Sequence, residues 1–150
     1  DTGLDSLQAT TAAGLSLGYI TEAFIGTSFR TGILSTPPWS FNVFTSNYGE
    51  KANVTLPVSE KANAFYLVAG ANLKARGYNA FLQGQFRDSE VSYSASEIRR
   101  LVAEGWIGIA SEFRGGFRLN FMLRQQTSEL KTGLADRSFS YGEVITTYQF

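Results

Sequence analysis

The chain has 150 residues with thirteen basic and thirteen acidic side chains, so no charge imbalance points to nucleic acid or another polyanion as a partner. It contains neither cysteine nor histidine, which excludes disulfides, thiol chemistry, a His-based triad and most catalytic zinc sites within these residues. Fifteen Gly, twelve Phe and seven Tyr beside one Met and three Pro are the usage of an all-β, turn-rich chain. No window approaches the roughly 18 consecutive apolar residues of a membrane helix, so any membrane crossing must be made by barrel strands.

The segments alternate with period two almost throughout, the signature of strands with one apolar and one polar face. Leu7 to Leu17 sets Leu7, Ala9, Ala13 and Leu15 against Gln8, Thr10 and Ser16, and Glu22 to Ile33 sets Ile25, Phe29 and Ile33 against Glu22, Ser28 and Arg30. Ala62 to Lys74 and Tyr78 to Arg87 continue the pattern, with Ala75 to Gly77 between them read as a tight turn. Leu101 to Phe113 opposes Ile107, Ile109 and Phe113 to Glu104, Trp106 and Glu112, and Phe117 to Gln126 is the clearest case, Phe117, Leu119, Phe121 and Leu123 against Arg118, Asn120, Met122 and Arg124. The last strand, Phe139 to Phe150, stops on an aromatic, which is how an outer-membrane barrel usually ends.

That count is seven strands in one domain. Gly18 to Thr21, Ala75 to Gly77 and Arg114 to Gly116 read as short connections, whereas Leu34 to Lys61, Asp88 to Arg100 and Thr127 to Ser138 are long, so short and long alternate. Outer-membrane barrels have short periplasmic turns and long external loops, which predicts an antiparallel transmembrane β-barrel in the bacterial outer membrane with its C-terminus in the periplasm. Tyr19, Tyr78, Phe113 and Phe117 fall beside the short turns, where an interfacial aromatic girdle is expected. Seven strands are too few, and of the wrong parity, to close in hydrocarbon, where each unpaired edge group costs several kcal/mol. The chain therefore reads as the C-terminal half of a barrel cut in an external loop, its first partner being the N-terminal half as a separate chain or segment.

Four stretches carry a family likeness: GLSLGYITEAFIGTSFRTG from Gly14, YNAFLQGQFRDSE from Tyr78, GIASEFRGGFRLNFMLRQQTSEL from Gly108, and the terminal SYGEVITTYQF. In order and spacing they resemble the C-terminal half of the outer-membrane lipid A 3′-O-deacylase family, over nearly the whole chain. The family shows Asp where Gln83 stands and Phe where Leu130 stands. The resemblance implies a 12-stranded barrel that hydrolyses a lipid A acyl ester with a His-centred, calcium-assisted site. It places those groups on the first five strands, so no catalytic residue carries over to this sequence.

Two other sets of residues stand out. Glu104, Glu112, Arg118, Asn120 and Arg124 share the polar faces of two neighbouring strands; they read as an ion-paired network filling the interior, with lipid phosphate as the alternative ligand. Trp39, Phe41, Phe44 and Tyr48 in the long connection after Leu34 are candidate contacts for acyl chains or a protein partner. Two functions follow: the barrel-wall half of a lipid A deacylase, or a catalytically inactive accessory barrel in a larger outer-membrane complex. In either case the expected partners are outer-membrane lipid and lipopolysaccharide, and not nucleic acid.

Overall fold

The computed structural model describes residues 5–34, 63–84, 92–134 and 136–148. Six strands follow one another in a single antiparallel sheet: β1 (Asp5–Ser16), β2 (Ile20–Ile33), β3 (Ala64–Asn79), β4 (Leu101–Phe113), β5 (Phe117–Gln126) and β6 (Phe139–Tyr148). One short helix, α1 (Ala80–Gln83), follows β3. Each strand pairs only with its neighbours in sequence, so the sheet is a meander and is open, with β1 and β6 as its edges.

Period-two sequence becomes two-faced structure. On β3, Tyr66, Val68, Asn72, Lys74 and Arg76 are buried while Phe65, Leu67 and Leu73 are exposed. Likewise β4 buries Val102, Glu104, Trp106, Ala110 and Glu112 and exposes Leu101, Ile107, Ile109 and Phe113. The polar set is thus inside and the large apolar set outside, the reverse of a water-soluble sandwich and the arrangement of a barrel wall in lipid. Curvature makes the polar face the inner one. Ala12 of β1 and Ile145 of β6, on opposite edges, both pack against one buried cluster of Val68, Trp106 and Met122.

Close packing on the inner face depends on glycines set opposite bulky side chains. A Cβ on Gly70 would lie 2.5 Å from the Trp106 ring, and one on Gly14 2.5 Å from Phe24; Gly108 gives way in the same manner to Met122. These are cross-strand neighbours, Gly70 with Trp106, Gly14 with Phe24 and Gly108 with Met122. An aromatic laid over a facing glycine covers backbone that would otherwise be bare, which pins register.

Two sequence expectations change. The stretches 62–74 and 78–87 are not separate strands, because β3 runs unbroken from Ala64 to Asn79 and then enters α1. Gly77 is the reason. On β2, Thr21 pairs with Tyr78 and the next residue, Glu22, pairs with Arg76, which leaves Gly77 unopposed as a β-bulge. One extra residue shifts the alternation by one, so Arg76 and Asn79 are both buried. The seven strands of the sequence reading thus become six among the described residues.

The rims change with the count. The β3–β4 connection now lies beside the β1–β2 turn, where the Ala80 amide donates to the Tyr19 carbonyl at 2.7 Å, and the β2–β3 connection lies beside the tight Arg114–Gly116 turn, where Asn63 Oδ1 accepts from the Arg114 amide. Short and long connections are therefore mixed on each rim, and an even count puts the start of β1 on the rim where β6 ends. Aromatics mark both rims: Tyr19 and Phe81, 6.2 Å apart, at one, and Phe113 and Phe117, 5.7 Å apart, at the other. Tyr78 is half-buried beyond the bulge and donates to the Gly84 carbonyl, so it is not in either girdle. A 13-residue strand such as β4, at about 3.4 Å per residue and a tilt of about 40°, spans roughly 30 Å, the thickness of a bilayer core.

Candidate functional site

The inner face is built in layers along the strands. In the central layer Glu104 meets Lys74 Nζ at 2.8 Å, Arg124 Nη1 at 3.1 Å, the Tyr141 hydroxyl at 3.3 Å and Asn72 Nδ2 at 3.4 Å. Arg124 turns its Nε to Glu143 at 2.8 Å and lays its guanidinium over the Trp106 ring, 5.3 Å from the centroid. Strand register explains this convergence, because Asn72 pairs with Glu104 and Arg124 with Tyr141, all on inward positions. Glu104 and Arg124 are 2 % and 1 % exposed. Ions so deeply buried persist only when paired, and here Glu104 faces several donors while Glu143 takes Arg124 Nε.

At the rim beside α1, Arg76 joins Glu22 and Glu129 across three elements. Its Nε donates to Glu22 at 3.0 Å, while its two terminal nitrogens stand 2.9 Å from Glu22 and 2.6 Å from Glu129. Gln126 and Asn79 donate to the two oxygens of the same Glu129 at 2.7 and 3.1 Å. The bulge at Gly77 lets one strand turn both Arg76 and Asn79 inward here. Above this layer the two connecting segments are tied together by the Ile98–Leu130 bridge, with backbone hydrogen bonds from Arg99 to Glu129 and from Lys131 to Glu97, both 2.8 Å. Arg99 reinforces the tie through the Leu130 carbonyl and Asp136. The Ser94 hydroxyl and amide donate to Glu97 at 2.7 and 2.8 Å and hold its carboxyl below the usual carboxylate range.

At the opposite end, Glu112 accepts from the Tyr66 hydroxyl at 3.0 Å and lies 3.7 Å from Arg118. Arg30 covers the Tyr66 ring at 5.4 Å and donates to Gln8. Between this layer and the central one lies the apolar waist of Val68, Trp106 and Met122.

Of the residues proposed from sequence as an interior network, Glu104 and Arg124 meet in the centre and Glu112 and Arg118 meet near the far rim. Asn120 shares their face, half-buried, between the two groups. Lys74, Arg76, Glu22, Glu143 and Tyr141 belong equally to the network although the sequence reading did not single them out. Their positions on polar strand faces carried that signal, except for Arg76, whose face the bulge obscured. Trp39, Phe41, Phe44 and Tyr48 lie outside the described residues.

As chemistry, the interior is ion-paired, with Asn72 Oδ1 left without a hydrogen-bond partner among the described residues. Its carboxylates face arginine, lysine or tyrosine, and among the described residues no group of three or more His, Cys, Asp or Glu is placed to hold a metal ion. These residues are suited to bracing a wall, not to activating a nucleophile.

A family model for outer membrane protein LpxR matches residues 2–150. Neither the curated proteins nor the solved structures give a match. An inverted, lipid-compatible sheet agrees with that family model. The chain therefore belongs to the LpxR family of bacterial outer-membrane proteins.

Proposed function

We propose that the chain is the six-stranded C-terminal wall of a lipid A 3′-O-deacylase-like barrel, whose catalytic groups lie outside these 150 residues. The observation that carries the reading is the LpxR match over residues 2–150. Two further features support it: the ion-paired interior carboxylates and a sequence without histidine. Hydrolysis of an ester needs a base for the attacking oxygen and a cation or donors for the developing oxyanion. Among the described residues the interior carboxylates are engaged by cations, so they do not fit calcium.

The even strand count supports the same assembly. With β1 and β6 antiparallel to each other, any even number of added strands completes an all-antiparallel barrel, and six more give twelve. The partner is then the remainder of the same barrel, pairing with both bare edges. We place the Arg114–Gly116 turn and the end of β6 in the periplasm, with the tied 92–100 and 127–136 segments outside.

The test is the mass of lipid A from membranes carrying the whole protein, with calcium present and chelated. Loss of one ester-linked acyl group, dependent on calcium, is the expected result. Unchanged lipid A mass would instead support the second reading, an inactive accessory barrel in a larger outer-membrane complex, which the braced interior equally favours.

A further inference from the structure

Two glycines on the outer face have no role that the protein itself explains. Gly105 on β4 and Gly142 on β6 both lie in regular pairing, Gly105 with Ala71 and Gln125, Gly142 with Leu123. Neither has a positive φ. A Cβ on Gly105 would meet nothing nearer than the Gly70 carbonyl oxygen at 3.7 Å, and one on Gly142 nothing nearer than Leu123 at 3.9 Å, so a side chain fits at both. The inner glycines, by contrast, are jammed against Trp106, Phe24 and Met122. Glycine within a strand costs about 0.5–1 kcal/mol relative to alanine. Outside a bulge, it marks a place where something else approaches closely.

These glycines, with Ala71 and Ala103, floor an open groove of about 970 Å³ walled by Ile107 and Leu123. Glu104, Trp106 and Arg124 also border it, but at 2, 5 and 1 % exposure they contribute backbone, so the groove opens on the bilayer side. Its size is at the upper end of the roughly 300–1,000 Å³ of small-ligand sites. The lining is graded. Thr127 and Ser138 lie at the rim, Gln125 and Ser140 lie level with Gly105, and Ile107 and Leu123 lie level with Gly142 farther from the rim.

We infer that this groove is a defined seat for one acyl chain of a bilayer lipid, with the ester end at the Thr127–Ser138 rim and the chain lying over Gly105 and Gly142. Small side chains supply the depth, the flanking aliphatics supply contact along the chain, and the polar end supplies donors for an ester carbonyl. The outward-facing part of the lining carries no charged side chain, Glu104 and Arg124 being buried on the inner face, which suits a hydrocarbon occupant and no headgroup. The inference rests on outer-membrane family membership and is independent of deacylation.

The test is native mass spectrometry of the whole protein in detergent micelles, titrated with dipalmitoyl phosphatidylglycerol. One saturable lipid is expected on the parent protein, with retention falling at least tenfold in Gly142→Leu and in the Ala71→Leu/Gly142→Leu pair. Thr146→Leu adds similar bulk on the same face of β6 outside the groove and keeps the lipid. Fold is checked by the heat-induced gel shift, with Gly105→Ala as a gentler second filling that should weaken retention in the same direction. No saturable lipid, or equal retention in all variants, would reduce the groove to ordinary annular contact and overturn the inference. Lipid A mass is read separately, so failure of the deacylase reading would leave this result standing.

Discussion

Glu104→Gln tests whether the interior is a dry, braced plug. The substitution keeps size and some hydrogen bonding while deleting the carboxylate that lies 2.8 Å from Lys74 and 3.1 Å from Arg124. Glu143 still faces Arg124, but the central layer gains one net positive charge at positions 3 % or less exposed. Breaking a buried pair in this way costs about 3–5 kcal/mol, against less than about 1 kcal/mol for a surface pair. A loss of that size lowers the folding equilibrium by roughly two to three and a half powers of ten. Urea unfolding of the whole protein in detergent, followed by tryptophan fluorescence and by gel shift, reads it directly. The double variant Lys74→Met/Glu104→Gln removes both ions and should recover much of the loss. A single-variant cost below about 1 kcal/mol with no recovery in the double would mean a hydrated, screened interior and refute the reasoning.

Gly70→Val drives methyl carbons into the Trp106 ring and the Thr27 carbonyl, where even a Cβ would lie 2.5 and 2.6 Å away; a destabilisation of about 1–3 kcal/mol by overpacking is expected in the same unfolding assay. Deleting Gly77 removes the bulge and turns one of Arg76 or Asn79 outward, so the Glu22–Arg76–Glu129 layer should be lost, read as greater protease cleavage in 92–100 and 127–136 than in the parent. The Glu97 carboxyl, held low by Ser94, stabilises its turn at pH above the ordinary carboxylate range and loses that contribution as pH falls through its folded value. Glu97→Gln should therefore remove the acid dependence of hydrogen exchange at the Lys131 amide, which donates to the Glu97 carbonyl.

Much of the fold was legible because period two is a strong signal when lipid and a packed interior impose opposite demands on the two faces. Strands β1, β2, β4, β5 and β6 lie where the alternation put them. The error at β3 has one cause. A glycine bulge and a tight turn both break the alternation, and only the pairing of Thr21 and Glu22 across the bulge tells them apart. That single residue moved the strand count and the sidedness of the connections. The interior network was legible by face but not by partner, since the convergence of Lys74, Glu104, Arg124 and Glu143 depends on register across four strands. The groove over Gly105 and Gly142 was not legible in sequence, because it depends on which residues the register of β4, β5 and β6 sets side by side.

The central claim is that this sheet turns its apolar face to lipid and its charged face to a packed interior. These 150 residues contain no cysteine, so single cysteines can be placed at Leu119, Asn120, Phe121, Met122 and Leu123 of β5 in the whole protein, with any cysteine elsewhere replaced by serine, and spin-labelled in bilayers. The account predicts high collision with oxygen dissolved in lipid at Leu119, Phe121 and Leu123 and little collision with oxygen or a water-soluble reagent at Asn120 and Met122. Water-soluble reagent reaching Leu119, Phe121 and Leu123 freely, or no alternation along β5, would contradict it.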